Sequence, residues 1–250
     1  MNAVLKRKVL YVQAQFESPV NVSSGENEVT DSDVLRDCNG TPFITGSSLA
    51  GAMRAYIEKE KSEPCLLGYS DGDAGKMSSL FISDLTFEEN PVIGVRDGVS
   101  LSDKKTAVTQ SKYDIEILEA GVKAHFYLEL VIRENDDEMM MDQELATILC
   151  GINAGEIRLG AKKTRGFGEF KIVRLSEKVY SKENYLEYAD SYNPEKWENC
   201  NNELESWIKK ASWSPKVIHV DVPLRMKGGI SIRRYAAKKG EPDYVHLTDH

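Results

Sequence analysis

Apolar side chains in this chain recur at two spacings, and the order of the two restricts the fold. Residues 7–17 alternate in period two, which predicts a β-strand. Residues 47–61 repeat apolar side chains at helical spacing behind Ser47 or Ser48, which predicts a helix with one of these serines as its N-cap. The strand pattern returns at 79–87, 124–133 and 169–175, and the helical pattern returns at 142–153. The order β-α-β-β-α-β predicts an α+β fold of the ferredoxin-like type, which is also the scaffold of RNA-recognition motifs.

Length and composition exclude several protein classes. The 250 residues are 41% hydrophobic, which is enough to bury the core of one or two domains. No stretch approaches the roughly 18 apolar residues of a membrane helix, and the N-terminus lacks a signal-peptide pattern, so we expect a soluble, cytoplasmic protein without a membrane partner. The four cysteines form no Cys-x-x-Cys pair, so neither a zinc site nor a disulfide framework is indicated.

The formal net charge of −8 argues against a protein that coats nucleic acid without sequence preference. The cations are clustered, however, while the acidic surplus falls mainly at 134–144 and 183–205. Such clusters permit anion binding without requiring it, because charge runs are commonly solvated faces. The basic clusters are Lys104, Lys105 and Lys112; Lys162, Lys163 and Arg165; and a third set between positions 225 and 239.

The sequence Gly-Ala-Lys-Lys-Thr-Arg-Gly-Phe-Gly at 160–168, named here the glycine turn, combines three glycines with three cations. Glycines let a backbone approach a ligand closely, and cations beside exposed amide groups favour anions. The turn therefore indicates phosphate binding. The alternative is an ordinary solvated turn between two elements.

The glycine turn and residues 42–54 together resemble the guide-RNA-binding elements of the repeat-associated mysterious protein (RAMP) superfamily, the backbone subunits of type III CRISPR effector complexes. Residues 66–68, Leu-Leu-Gly, followed by Ser79–Leu85 resemble the family's Phe-Gly element and its Ser-Asp strand. Thr45 stands where the family commonly has proline before Gly-Ser-Ser. The resemblance covers about residues 5–176 and restarts near 216.

The resemblance implies partners as well as contacts. The partners would be a guide RNA, a complementary target RNA, and other effector subunits or further fused domains. Helix N-termini and turn amides favour phosphates, and arginine adds a forked contact, which suits this role. The residues expected to contact RNA in the first helix and the glycine turn are Ser47, Ser48, Arg54, Lys162, Lys163, Thr164 and Arg165.

The stretch from Val92 to Gly121 is too long for a plain connection between neighbouring strands. This region resembles a hairpin of the family, called the "thumb", which protrudes and kinks bound RNA. Residues 95–100 and 113–117 would form its arms. Its tip would carry the RNA-binding cations Lys104, Lys105 and Lys112. The alternative is a mobile surface loop.

Asp31 is the candidate catalytic residue. It lies in a polar loop with Asp33 and Asp37, where carboxylates could hold Mg²⁺ or orient the 2′-hydroxyl group of a target strand. Metal binding or positioning is favoured over acid catalysis, because an aspartic acid with the usual pKa of about 4 is a poor proton donor at neutral pH. Family members that cleave target RNA carry one aspartate in this loop, and Asp31 falls there, as Asp243 does in a second copy.

Two functions remain open at this stage. The first is a guide-RNA-binding effector subunit that cleaves the paired target RNA with the help of transient Mg²⁺. The alternative is a noncatalytic RNA-binding scaffold of the effector complex, in which the loop aspartates only keep the surface solvated.

The C-terminal part repeats the beginning of the chain. Lys216–Val220 matches Lys8–Val12, and residues 243–249 echo residues 31–37. We therefore expect a RAMP-like ferredoxin-like domain at 1–178, a helical linker at 179–214 and the start of a truncated second copy at 215–250, as in the N-terminal portion of a longer tandem protein. Alternatively, a strand at 216–226 docks onto the first domain.

Overall fold

The computed structural model describes residues 3–23, 30–60, 65–71, 74–104, 106–197 and 200–212, together with positions 216, 220, 222, 223, 225, 227, 233, 234, 245 and 246. The strands are β1 (Val4–Phe16), β2 (Phe43–Ile44), β3 (Tyr69–Asp71), β4 (Ala74–Lys76), β5 (Leu80–Ile82), β6 (Leu85–Phe87), β7 (Ile93–Leu101), β8 (Ala107–Leu118), β9 (Lys123–Arg133), β10 (Phe170–Tyr180), β11 (Arg233–Arg234) and β12 (Val245–His246). The α-helices are α1 (Gly46–Glu60), α2 (Glu138–Asn153) and α3 (Leu204–Ile208), and the 3-10 helices are Lys163–Arg165, Tyr185–Asp190 and Pro194–Lys196.

One antiparallel sheet organises the protein, with strand order β10-β1-β9-β6-β2 and β5 also paired with β9. Leu80 lies opposite Leu130, and Phe87 lies opposite Ala124 further along the same strand. The strand predicted at 79–87 is therefore present but interrupted between β5 and β6. With its two long helices, the protein has the mixed α+β architecture that was predicted.

Helices α1 and α2 pack against one another and against one face of the sheet. Leu10 and Val12 of β1 meet Leu49 of α1 and Leu145 of α2 in this core, and all four side chains are fully buried. Helix α2 begins four residues earlier than the periodicity indicated, because the side chain of Asp137 caps it by accepting a hydrogen bond from the backbone of Met140.

Residues 185–197 cover the opposite face of the sheet. Trp197 packs with Val9 and Tyr180, and each of these side chains is at most 6% exposed. The carboxylate of Glu129 on this face is also buried, and it accepts hydrogen bonds from two tyrosine hydroxyl groups of the covering segment. The chain therefore closes this face itself.

The described part of the segment 179–214, predicted as a helical linker, contains short helices and not one long helix. Its described residues begin with the end of β10 and contain two 3-10 helices and the short α3. Trp197 packs on the closed face, whereas Trp207 is fully buried in the core on the helix side of the sheet. One straight helix could not deliver both side chains to these two places. Trp207 thus packs in the protein, and Trp213 lies outside the described residues.

The two predicted arms within Val92–Gly121 form an antiparallel hairpin of β7 and β8, in which Gly98 lies opposite Tyr113. Its base is buried at Ile115 and Leu118. A mobile surface loop is thereby excluded for the arms, and Lys105 lies outside the described residues.

Little of the predicted second copy can be compared with the prediction. Strand β11 pairs with β12, but most of 215–250, including Asp243, lies outside the described residues. Lys216 contacts α1 and the segment that follows α2. Its backbone N–H donates to Glu156 at 2.7 Å, and its ammonium group lies 2.7 Å from Glu60 at the end of α1.

The four cysteines are free. No helix among the described residues combines the length and the apolar character that a membrane crossing needs.

The glycine turn is fixed by close backbone contacts. The N–H of Gly168 donates to the carbonyl of Pro19 at 2.8 Å. Gly160 and Gly168 have φ of +74° and +77°, in the left-handed region. A Cβ atom on Gly168 would lie 1.8 Å from the carbonyl oxygen of Leu159, so only glycine fits there.

Two alanine variants test this steric argument. Gly166 has φ of +87° with open space where a Cβ atom would lie, so Gly166→Ala should lower the free energy of unfolding by roughly 1–2 kcal/mol through backbone strain alone. Gly168→Ala adds the collision with Leu159 and should lower it further. Chemical denaturation measures the free energy of unfolding, and an equal decrease in the two variants would contradict the steric argument.

A second prediction concerns pH. Burial raises the pKa of Glu177 above 4.5, although Lys210 and Lys8 act in the opposite direction, and Trp207 donates a hydrogen bond to this carboxylate at 3.2 Å. As the pH rises, the unfolded chain therefore loses the proton of Glu177 before the folded protein does. The free energy of unfolding should fall as the pH rises from about 4.5 through the raised pKa.

Glu177→Gln should remove this fall, so the variant should match the wild type near pH 4 and melt at a higher temperature near pH 7. Thermal melts across this range measure the effect, with the exposed Glu205→Gln as the charge control. A lower melting temperature of Glu177→Gln at pH 7 would show that the charged form is the stabilising one.

Candidate functional site

The residues that follow β1 join the glycine turn to the hairpin. On one side the carbonyl of Asn21 accepts a hydrogen bond from the N–H of Ala161 at 2.9 Å. On the other side Val20 exchanges backbone hydrogen bonds with Leu118 at 3.0 and 2.8 Å, and the side chain of Asn21 donates to the carbonyl of Glu116 at 2.7 Å. The glycine turn and the base of β8 thus share one backbone strip.

The Asp31 loop, defined here as residues 30–37, lies along the outer edge of β8. The N–H of Asp31 donates to the carbonyl of Asp114 at 3.1 Å, and the N–H of Glu116 donates to the carbonyl of Ser32 at 3.0 Å. The Oδ2 atom of Asp31 accepts a hydrogen bond from the N–H of Asp114 at 2.9 Å, and Oδ1 of Asp114 lies 3.2 Å from the N–H of Asp31. The candidate catalytic carboxylate is therefore held against the hairpin.

Glu116 anchors the same loop from inside the protein. Its side chain is 9% exposed, it pairs with Arg36 through two hydrogen bonds of 3.0 and 2.8 Å, and it accepts a third from the backbone of Val34. A buried carboxylate needs such partners, and this one fixes the loop to β8.

The other two loop aspartates accept hydrogen bonds from residues close to them in the chain. Asp33 accepts hydrogen bonds from the backbone and hydroxyl groups of Thr30 at 2.8 and 2.7 Å, and Asp37 accepts from the backbone of Asn39 and Thr41 at 2.9 and 2.8 Å. The carboxylate beside Asp31 is instead that of Asp114.

The described residues contain no cluster of three or more side chains suited to hold a metal ion. Mg²⁺ commonly uses one or two protein carboxylates and completes its shell with water and substrate phosphate. Asp31 and Asp114 fit that requirement, since each has one carboxylate oxygen without a hydrogen-bond partner among the described residues.

Tyr113 brings the glycine turn and the hairpin together at a second point. Nη1 of Arg165 donates to its hydroxyl oxygen at 2.9 Å, and Nζ of Lys162 lies 4.2 Å from the centroid of its ring. The hydrogen bond from Arg165, and after it the contact with Lys162, lowers the pKa of the Tyr113 phenol. Two of the predicted RNA-binding cations thus converge on the hairpin.

The other described residues that were predicted to contact RNA in these two segments face solvent. Lys163 and Thr164 are exposed on the glycine turn, and Lys104 is exposed at the hairpin tip. Lys112 is 74% exposed, with Asp97 at 3.4 Å across the hairpin.

The start of α1 differs from the prediction. The helix begins at Gly46, and the hydroxyl group of Thr45 accepts a hydrogen bond from the N–H of Ser48 at 3.2 Å. Neither Ser47 nor Ser48 is the cap, because both already lie inside the helix. Asp84 also accepts a hydrogen bond from the N–H of Gly46 at 2.8 Å, which explains why the Ser-Asp element interrupts the strand between β5 and β6.

Arg54 and Lys163 line different grooves on the two flanks of α1. Arg54 borders a shallow groove with Tyr69 and Lys76, and it contacts the carbonyl of Leu67 at 3.5 Å. Lys163 borders a groove of about 460 Å³ whose α1 side includes Lys59. The predicted RNA contacts therefore do not form one common trough through these two residues.

Sequence reasoning missed Tyr113 and Asp114 as site residues, although both lie in a predicted arm of the hairpin. Their position directly after Lys112 is the one local signal for them. Their contacts with Asp31, Lys162 and Arg165 all join distant parts of the chain, and periodicity does not reveal those.

The chain matches a protein-family model over the segments that form this site. The model described as the RAMP superfamily matches residues 13–171, a range that contains the Asp31 loop, α1, the hairpin and the glycine turn. A search of curated proteins found no match. Because the family match spans more than half of the chain, the protein belongs to the RAMP superfamily.

Proposed function

We propose that this protein is a guide-RNA-binding subunit of a type III CRISPR effector complex and that Asp31 takes part in Mg²⁺-dependent cleavage of the paired target RNA. Family membership supports a CRISPR-associated, RNA-binding role. The finer proposal rests on one observation: the Asp31 loop and the cationic glycine turn contact β8 at the consecutive residues Asp114 and Tyr113.

The sheet supports the ferredoxin-like assignment within this proposal. The order β10-β1-β9-β6 places the last strand beside the first and the third beside the second, with α1 after β1 and α2 after β9. Residues 185–197 cover the face that RNA-recognition motifs use for bases. We therefore place the RNA on the glycine turn, the hairpin and the flanks of α1.

The guide would be held mainly by charge. Lys163 and Thr164 are exposed on a turn whose backbone is fixed by glycines, so its cations and amides are presented without a large ordering cost. Across the neighbouring groove, Lys59 adds a second cation from α1. Arg54, on the other flank of the helix, would contact a different part of the strand, and Ser47 is exposed at the helix start.

The target strand would pass along the outer edge of β8. There the carboxylate of Asp31, fixed by the N–H of Asp114, can orient a ribose 2′-hydroxyl group towards the adjacent phosphate. Arg165, which donates a hydrogen bond to the neighbouring Tyr113, would contact that phosphate. When bound, Mg²⁺ would neutralise negative charge that develops on the phosphate oxygens.

The noncatalytic scaffold remains a second candidate, and one contact favours it. Oδ2 of Asp31 is already engaged by the backbone of Asp114, which is a sufficient structural reason for an aspartate at this position. RNA binding alone does not separate the two functions, whereas cleavage does.

Guide binding predicts a specific salt dependence. Lys163→Ala in the full chain should weaken binding of a CRISPR guide RNA and reduce the slope of log K against log salt by about 0.7 for the lost phosphate contact. The control Lys182→Ala removes the same charge from an exposed residue just after β10, and it should leave the guide affinity and the salt slope unchanged. Fluorescence anisotropy at several salt concentrations measures this, and matching slopes in the two variants would exclude Lys163 from the interface.

Cleavage predicts a separate effect of Asp31. Asp31→Asn keeps an oxygen that can accept the hydrogen bond from Asp114 but removes the charge, so it should lower the cleavage rate of a complementary RNA roughly 100-fold or more, with guide affinity unchanged. Asp190→Asn, an exposed carboxylate paired with Lys196, serves as the control. Labelled target is followed on gels with and without Mg²⁺.

The outcomes separate the two candidates. Full activity of the double variant Asp31→Asn, Asp243→Asn would remove the catalytic assignment. A wild-type protein that binds guide and target but never cleaves would establish the scaffold instead.

A further inference from the structure

Tyr113 occupies a special place in the hairpin. Its hydroxyl group accepts the hydrogen bond from Arg165 at 2.9 Å, and its ring lies 4.2 Å below the ammonium group of Lys162. The next residue in β8, Asp114, exchanges hydrogen bonds with Asp31. Two consecutive residues of one strand thus bind the cationic turn and the acidic loop.

Gly98 makes room for the ring. It lies opposite Tyr113 in the hairpin, and a Cβ atom on Gly98 would lie 2.2 Å from Cζ of the tyrosine and 2.5 Å from its hydroxyl oxygen. No side chain other than hydrogen fits while the ring keeps this position. The contact fixes where the phenol meets Arg165.

Lys162 adds a second constraint. Its φ of 58° is left-handed, which is uncommon for a residue with a side chain and is retained where surrounding contacts enforce it. In this conformation its ammonium group lies over the Tyr113 ring. The turn therefore holds a strained residue at the point where it meets the hairpin.

We propose that Tyr113 is a positioning residue for target cleavage: it holds Arg165 and Lys162 against the strand that borders Asp31, so that cations and carboxylate act on the same phosphodiester. The inference rests on the proposed function and deepens it. A phenol suits the task, because its oxygen accepts the guanidinium hydrogen bond while its ring attracts an ammonium group.

The test uses the full chain loaded with a synthetic guide RNA and a complementary labelled RNA under single-turnover conditions with Mg²⁺. Tyr113→Phe removes the hydrogen bond and keeps the ring, whereas Gly98→Ala displaces the ring and its hydroxyl group without removing any functional group. Gly94→Ala is the matched control on the same strand, since its Cβ atom would meet only the flexible ends of the Glu119 and Arg96 side chains.

We expect Tyr113→Phe and Gly98→Ala to lower the cleavage rate at saturating target roughly 10- to 100-fold, with guide and target affinities within about twofold of wild type. Gly94→Ala should cleave normally. A change in affinity with an unchanged rate would assign Tyr113 to binding and overturn the positioning role.

A spectroscopic readout tests the geometry without any cleavage. The absorbance of the Tyr113 tyrosinate is the difference between a protein with Tyr113 and the same protein carrying Tyr113→Phe. This difference should titrate at lower pH in the wild-type background than in the Arg165→Gln background, because Arg165 lowers the pKa of this phenol. An unchanged titration would overturn the contact on which the inference rests.

Failure of the inference and failure of the proposed function look different. Wild-type rates in both Tyr113→Phe and Gly98→Ala would overturn the role of Tyr113 and leave cleavage by Asp31 intact. Guide binding without cleavage by the wild type would remove the catalytic function, and the positioning role with it.

Discussion

The arrangement of the site depends on a backbone constraint at the end of β1. The chain leaves the sheet at Phe16, and the residues after it must find hydrogen-bond partners on both sides. The carbonyl of Pro19 accepts from the N–H of Gly168, and Val20 pairs with Leu118 of the hairpin. One extended strip therefore fixes the distance between the glycine turn and β8, and the Asp31 loop, Arg165 and Tyr113 take their positions from it.

Local periodicity predicted the long elements well, because each buries one continuous apolar face. The helix predicted at 47–61 is α1 at Gly46–Glu60, and the strand predicted at 124–133 is β9. The failures share a cause, which is that a side chain acts on a distant partner. Asp84 interrupts a strand where it accepts a hydrogen bond from the start of α1, and the apolar residues of 179–214 pack in two different cores, which a single long helix could not reach.

The candidate site was predictable as segments and not as an arrangement. Glycines and clustered cations mark the glycine turn, and length marks the hairpin. The sequence does not show that α1 separates Arg54 from Lys163, because that follows from which flank of the helix each neighbour reaches. Residue type alone also does not distinguish Asp31 from Asp33, because both are aspartates in one loop, and only the family resemblance selected Asp31. In the structure Asp33 accepts hydrogen bonds from Thr30, whereas Asp31 accepts one from β8.

A protein with a formal net charge of −8 can still present a surface suited to RNA, because its charges are unevenly distributed and some of its carboxylates are held inside the fold. Glu116, Glu129 and Glu144 are each at most 7% exposed, and all three accept hydrogen bonds from arginine, tyrosine or backbone groups. A carboxylate paired with a cation, as Glu116 is with Arg36, contributes little to the potential that an approaching phosphate meets. Lys163 and its neighbours on the glycine turn face solvent instead. The local field at the turn, and not the total charge, therefore decides whether a phosphate can approach it.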